Sequence, residues 1–473
     1  MSASTASVTV IRGGTVWTGG AHPRLLARHD VVISNAVVAA IEPGYRGRHD
    51  VEVDAGGCLV APGLINAHVH PGTSPRSRGL AEDAEIVEDG AYYHLTLPTQ
   101  MLGPQVLDDE DVAAITAWDV AASLLGGATT VVAEYFGSPK HWIPLVERIG
   151  FRGQLGLTYP GNLAAIGFVK DGRIVSAEAK DVGAELAGAM RLHESHNGAF
   201  GGRLNVHLSP HGPDTVPEDI LRETKRLCAE KDIHAHLHLA QHVAECRTIE
   251  ARHGMSPVQY LDKIGFLGPD VLATHVTYVN NADLDALARS GTHVVHCSYR
   301  KAKEGITSPF WEFLSRGVNV AIATDSFSHD LILDLKLACL LGKIRSHSVA
   351  HPTARQVLTC ATHGAATALG RPDLGSLEPG ARGDAIVVGL DSPFAAPAFD
   401  PIRALVYYGS ASDIRTSLVD GQIVVERGTV RGLDLVALRR KVQSACHRLW
   451  TLAQDKGVLP EGSTYFPCPG GAH

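Results

Sequence analysis

The sequence predicts an α/β protein, a (β/α)8 TIM-like barrel with a small β-sandwich domain built by both chain ends. Three observations lead there. From about residue 61 to 375, apolar strand-like runs alternate with helical stretches, which implies parallel βαβ units. Nearly all of those runs end in a polar or ionisable residue, as expected where functional groups gather at the C-terminal mouth of a barrel. On either side of the barrel, short β-branched runs are broken by glycine turns.

In order, residues 1–60 hold VTVIRGGTVW, VVISNAVVAAIEPG and the start of VEVDAGGCLVAPG, runs that suit a small antiparallel sheet. The barrel, 61–375, offers as strands ATTVVAEY (128–135), RLNVHLSP (203–210), IHAHLHLA (233–240), DVLATHV (270–276), THVVHC (292–297) and VNVAIATD (318–325). DDEDVAAITAWDVAASLL is one of the helices between them. Over 376–430, GDAIVVGLD and TSLVDGQIVVERG return to strands that rejoin the N-terminal sheet. The last segment, 431–473, predicts a helix through LDLVALRRKVQSACHRLWTLAQ and a loosely held Pro/Gly-rich end.

Length alone, 473 residues, does not count domains, because barrel enzymes take most of such a chain for one body. With 45% hydrophobic and 19% charged residues, the chain can bury a large core. A formal net charge of −8 gives no basic surface for nucleic acid or an anionic membrane, so the expected partner is a small molecule. A homodimer or higher homo-oligomer is compatible with the sequence. No apolar run approaches the ~20 residues that span a bilayer, and the N-terminus lacks a basic segment followed by an apolar core, so a cytoplasmic protein is expected. Eight scattered cysteines form no CxxC pair, which argues against a zinc ribbon or redox motif. Histidine stands out: there are 25, several spaced one residue apart.

In LINAHVHPG, His68 and His70 sit two apart at the end of an apolar run. The strand period of two points both imidazoles to one face, where they can share a cation; a pair of hydrogen-bonded core histidines fits the same spacing. IHAHLHLAQH places His234, His236 and His238 on one face by the same argument. Three buried rings on one strand are hard to justify as packing, since each needs partners for two nitrogens, although one or two fit as satisfied core residues. His275 lies near a strand end in THVTYV, and the run VNVAIATDSFSHD ends its strand in Asp325. A lone strand-end Asp is usually a helix N-cap or turn residue. After histidine-bearing strands it is also the carboxylate that completes a His3Asp metal site and accepts a proton from activated water.

With APGLINAHVH, GGATTVV (126–132), SPHGPDT (209–215), HLHLAQ (236–241), HVTYV (275–279), HCSYRKAKEG (296–305), GVNVAIATD (317–325), ATHGAATALG and GSLEPGARGDAIVV in this order, the chain resembles the amidohydrolase superfamily over almost its whole length. Within it, the similarity is to the branch of S-adenosylhomocysteine and guanine deaminases, triazine hydrolases, and phenylurea or thiocarbamate hydrolases. The resemblance implies metal ligation by His68 and His70 from the first barrel strand, His238 from the fifth and Asp325 from the eighth. It further implies that His275 touches the metal-bound water as a catalytic partner of Asp325, and that His211 contacts substrate. RLNVHLSP carries no lysine for a carbamylated bridge, so one divalent metal is expected. Zinc is the first expectation, with iron, cobalt or manganese compatible with a mixed nitrogen and oxygen shell.

The pattern breaks at Gln241, where deaminases of this branch carry a Glu that shuttles a proton to the substrate ring. An amide neither gains nor loses a proton near neutral pH. Tyr299 and Arg300 stand where relatives often have Ser-Asn, and His329 follows Ser328 where Asn is frequent; with Gln241 and His211 these are the expected substrate contacts. Glu134, Tyr135 and Arg76 also fall near the mouth and fit structural roles equally well. The sequence therefore predicts a mononuclear hydrolase that cleaves a C–N or C–S bond of an amide-like substrate (amide, urea, carbamate, thiocarbamate or cyclic imide), with Asp325 moving the proton. Deamination or dechlorination of a nitrogen heteroaromatic is the alternative, with His242, Glu245 or a mouth histidine replacing the missing Glu. A member that keeps its metal without catalysis is the third reading.

Overall fold

A computed structural model describes residues 7–80, 82, 95–161, 168–170, 173–175 and 181–459. Eight parallel strands, neighbours in chain order, form the barrel: β1 (Leu64–Val69), β2 (Ala128–Tyr135), β3 (Arg152–Tyr159), β4 (Leu204–Pro210), β5 (Ala235–Leu239), β6 (Val271–His275), β7 (His293–His296) and β8 (Val320–Ile322). The seam between β8 and β1 is joined by side chain and loop. Asn66 Nδ2 donates to Thr324 Oγ1 at 2.8 Å, the Thr324 N–H donates to Asn66 Oδ1 at 3.1 Å, and the Asp325 N–H donates to His68 O at 3.0 Å. The seam thus fixes Asp325 beside His68.

The helix after β1, Asp109–Leu125, starts where its sequence says it should. Asp108 is the N-cap and Asp111 completes a capping box, so the acidic run satisfies amide groups left unpaired at the helix start. β5 begins at Ala235, so His234 lies before the strand, where its ring closes on Gly370. Only His236 and His238 of that triplet stand on the strand itself.

Strands from both chain ends make one nine-stranded sheet. Cys58–Pro62 pairs antiparallel with Ala385–Gly389, which joins the two ends. The expected all-antiparallel pairing needs correction, because Val8–Trp17 runs parallel to both Val51–Asp54 and Cys58–Pro62. The sheet curls over its own apolar residues, among them Ile11, Val31, Val60, Val387 and Leu418. Helix Pro401–Tyr408 lies within the C-terminal strand region but packs on the barrel helices Leu331–Ser346 and Ala354–Thr359. The terminal helix, Leu435–Asp455, lays Val442, Ala445 and Cys446 against Ala114 and Ile115. The Pro/Gly-rich end and Cys468 fall outside the described residues. Among those described, seven cysteines are free, and no helix is long and apolar enough to cross a membrane.

Candidate metal centre

Strand ends converge on one buried cluster. His68 and His70 face the same side of β1, with ring centroids 4.6 Å apart. The His238 ring of β5 lies 5.0 Å from His68 and 5.3 Å from His70. His275 closes β6, and Asp325 follows β8. Asp325 Oδ1 stands 3.8 Å from His70 Nε2, and Oδ2 stands 3.7 Å from His275 Nε2. The chain turns sharply to aim these groups: Ala240, His275, Val276 and Asp325 all adopt positive φ, which costs a non-glycine residue roughly 1–3 kcal/mol each. All five site residues are at most 7% exposed.

The outer ring nitrogens set the tautomers. His70 Nδ1 donates to the Glu134 carbonyl at 3.0 Å and His238 Nδ1 donates to the His211 carbonyl at 3.1 Å. A carbonyl only accepts, so both Nδ1 atoms carry hydrogen and both Nε2 atoms present lone pairs. Those two Nε2 atoms face one another at 3.2 Å. His68 Nε2 and His275 Nε2 are buried without a hydrogen bond. Lone pairs pointed at each other in a dry site call for a cation between them, and donors around a tetrahedral ion lie about 3.3–3.4 Å apart. Burial first, then the neighbouring imidazoles, keeps His68 well below its ordinary pKa. Burial likewise holds His70, His238 and His275 down, so the rings are neutral and ready to donate. The donor set fits one divalent ion, with His68, His70, His238 and Asp325 as the expected ligands.

Around this centre, His211 leans over His238 with ring centroids 4.8 Å apart, its Nδ1 beside Thr215 Oγ1 at 3.1 Å. Phe136 forms an apolar wall against His70 and His211, at 5.3 and 6.1 Å. Gln241 Nε2 lies 2.7 Å from His242 Nε2, and the carboxylate of Glu245 accepts the N–H groups of Ala240 and Gln241 at 2.6 and 2.7 Å. Arg300 brings Nε within 3.5 Å of Asp325 Oδ2 and also pairs with Glu304. Its guanidinium lies 5.2 Å over Phe327, and Lys303 Nζ lies 3.8 Å over the same ring. Tyr299 keeps a half-exposed side chain while its N–H donates to Asp334 at 2.9 Å. The ring nitrogens of His329 face Ser123 at 3.1 Å and Asp119 at 3.2 Å, on the helix behind β1.

Several neighbours carried no sequence signal of their own. Lys301 is buried, donates to the Gln241 carbonyl at 2.8 Å and meets Glu304 at 3.1 Å; Phe136, Phe327 and Glu304 likewise reach the site only through folding. Glu134 is fully buried beneath His68, His236 and His238, its oxygens 3.4–4.0 Å from their Nδ1 atoms. Tyr135 meets Thr116 Oγ1 at 3.3 Å, and Arg76 donates to the Gly72 carbonyl at 2.6 Å.

The amidohydrolase family model matches residues 59–424, which covers the barrel and most of the strands that follow it. The chain belongs to the amidohydrolase family. A 5'-deoxyadenosine deaminase of Methanosarcina mazei is 30% identical over 425 residues, 89% of this chain and 93% of that one. The crystal structure of an adenosine deaminase from Xanthomonas campestris with bound zinc is 25% identical, with a TM-score of 0.83 over 94% of this chain and 98% of its own. An atrazine chlorohydrolase of Arthrobacter aurescens complexed with zinc shares the fold, with a TM-score of 0.79 at 23% identity over 93% of this chain and all of its own (100%). This amidohydrolase is a metal-dependent hydrolytic enzyme of the barrel type.

Proposed function

We propose that the protein hydrolyses a C–N or C–S bond of a small amide-like substrate, using zinc held by His68, His70, His238 and Asp325. The observation that carries this reading is Gln241. The position where deaminases of this branch hold a proton-shuttling Glu is an amide bonded to His242 at 2.7 Å, which leaves Asp325 as the proton carrier beside the donor cluster. When bound, the ion supplies Lewis acidity toward the substrate and a water acidic enough to ionise near neutrality. Asp325 takes up the proton and returns it to the leaving nitrogen or sulfur. Arg300, 3.5 Å from Oδ2, orients that carboxylate, and His275 lies 3.7 Å from the same oxygen. Gln241 and His211 position substrate, with Phe136 excluding water. The seven free thiols among the described residues support a cytoplasmic setting.

Deamination of a nitrogen heteroaromatic is the second reading. It is favoured by the deaminase relatives and by His242, whose buried imidazole meets Gln241 and supplies a titratable group in place of the missing Glu. The test is a screen of zinc-loaded protein against amides, ureas, carbamates, thiocarbamates and aminated heterocycles, adenosine derivatives included. Turnover of the carbonyl substrates supports the first reading. Efficient deamination with every amide, urea and carbamate untouched rejects it in favour of the second.

A further inference from the structure

Below the expected catalytic ligands lies a second set of donors. Glu134 of β2, His207 of β4 and His236 of β5 each offer one atom, and these atoms all lie within 4.8 Å of one another. His236 Nδ1 stands 3.4 Å from Glu134 Oε1, the spacing of two donors on one tetrahedral ion at about 2.1 Å. The three side chains are 0%, 5% and 1% exposed. Neither His207 Nε2 nor His236 Nδ1 makes a hydrogen bond, and such orphaned polar atoms are rare inside a protein, while the Glu134 carboxylate has only the Ser209 hydroxyl to lean on.

A proton relay is the competing account. His68 Nδ1 lies 3.5 Å from Thr274 Oγ1, and Thr274 Oγ1 lies 2.7 Å from His236 Nε2. A chain from His68 through Thr274 and His236 to Glu134 would satisfy His236 and one carboxylate oxygen. It leaves His207 Nε2 with nothing. A cation takes His207 Nε2, His236 Nδ1 and a Glu134 oxygen together.

An entry route is also present. A cavity of about 250 Å³ on the N-terminal side of the barrel is lined by Gln154, Asn205, His207, His234, His236 and Arg371. It reaches two of the three donors from the pole opposite the expected substrate mouth. We propose that Glu134, His207 and His236 form a second, weaker site for a borderline divalent cation such as zinc or cobalt, filled from the N-terminal pole. Two imidazoles and a carboxylate are the ligand types these ions select. The site is weaker than the catalytic one because Glu134 also lies 4.0 Å from His68 Nδ1 and 3.7 Å from His238 Nδ1, so an ion here is repelled by the one above.

The test is cobalt(II) titration of full-length protein that has been loaded with zinc and dialysed, followed by visible absorption and by metal counting. The wild type takes up one further equivalent. His207→Phe and Glu134→Gln weaken that uptake by at least about tenfold, while His207→Phe keeps its tightly held zinc. If Glu134→Gln does not fold, His207→Phe decides alone. Absence of a second equivalent at millimolar cobalt overturns the proposal, and so does uptake that neither variant changes. The outcome is separable from the catalytic reading: zinc that does not survive dialysis in the wild type defeats the upper ligand set, whereas His207-dependent cobalt uptake reports only on the lower one.

Discussion

Gln241 and Asp325 divide the chemistry between a group that cannot titrate and one that can, and three predictions turn on that division. Asp325→Asn lowers kcat by at least about 10²-fold in protein whose metal content is restored, as expected for loss of the group that moves the proton; near-normal kcat in a metal-replete variant defeats this route. Gln241→Glu creates or raises deamination of aminated heterocycles and lowers the native reaction, because it places a negative charge beside Asp325. Both activities, measured in wild type and variant with metal counted in each, decide it. Dialysed wild type retains about one divalent ion per chain, and His68→Ala with His238→Ala loses it, by elemental analysis. At this scale the sequence displays what sits on one strand or ends one: the His68/His70 pair, the His236/His238 pair, His275 and Asp325 are readable from a period of two and from strand termini, whereas the choice of His238 as the ligand is what the family resemblance implies. Glu134 was visible only as a residue near the mouth, and Lys301, Phe136 and Phe327 not at all. Their roles depend on which side chains of other strands and loops they meet, and no spacing along the chain encodes that.

Among elements, β7 carries a load that its four residues hide. His293 is satisfied while neutral, with Nε2 donating to the Pro269 carbonyl at 3.0 Å and Nδ1 accepting from Asn319 Nδ2 at 3.0 Å. His296 stacks on Phe310 at 4.7 Å, and its Nδ1 has no hydrogen bond. Burial pushes the two rings down to about 4 and about 3. The unfolded chain protonates these histidines near 6.5, so between that pH and the folded values it binds more protons than the native state. The stability they contribute is complete above about pH 6.5 and is lost as pH falls toward 4 and 3, by roughly 3–5 kcal/mol per group at most. His296→Phe removes one of the two and flattens the decline in urea midpoint between pH 6.5 and 4, compared with wild type after metal removal from both. An equal slope in the variant sinks the argument. Strands with this texture are the legible ones: THVVHC, ATTVVAEY and VNVAIATD announce themselves by β-branched runs. β3, RGQLGLTY, does not, because two glycines interrupt it where Trp142 and the His207 ring press close, with added Cβ atoms meeting them at 2.3 and 2.4 Å.

Across the whole molecule, the question is whether barrel and sheet are separate bodies or one cooperative unit. The sheet takes strands from both ends of the chain, so the folded barrel between them holds those ends side by side. A buried ion network pins the junction. Arg152, the first residue of β3, donates through Nε and Nη2 to Asp384 at 2.6 and 2.9 Å and also pairs with Asp420, while the Asp420 N–H donates to Asp384 at 3.0 Å. Arg152 is 2% exposed, and Asp384 lies just before the strand that joins the two halves of the sheet. Replacing such a network with apolar residues is often neutral, but removing one partner of a buried pair costs up to about 3–5 kcal/mol, and without Asp384 the Arg152 guanidinium keeps only Asp420, which Arg382 also shares. Asp384→Ala therefore lowers the stability of the barrel and the sheet together. Two buried tryptophans report on the two parts: Trp17 ends a strand of the sheet where that strand packs into the barrel-side core, and Trp142 packs on Phe151 at the barrel wall with ring centroids 5.6 Å apart. In variants that keep one or the other as the sole tryptophan, the two unfolding transitions in urea coincide, and Asp384→Ala moves both to lower urea by the same amount. A shift of the Trp17 transition alone means that the sheet unfolds by itself and that the Arg152 network does not couple the two.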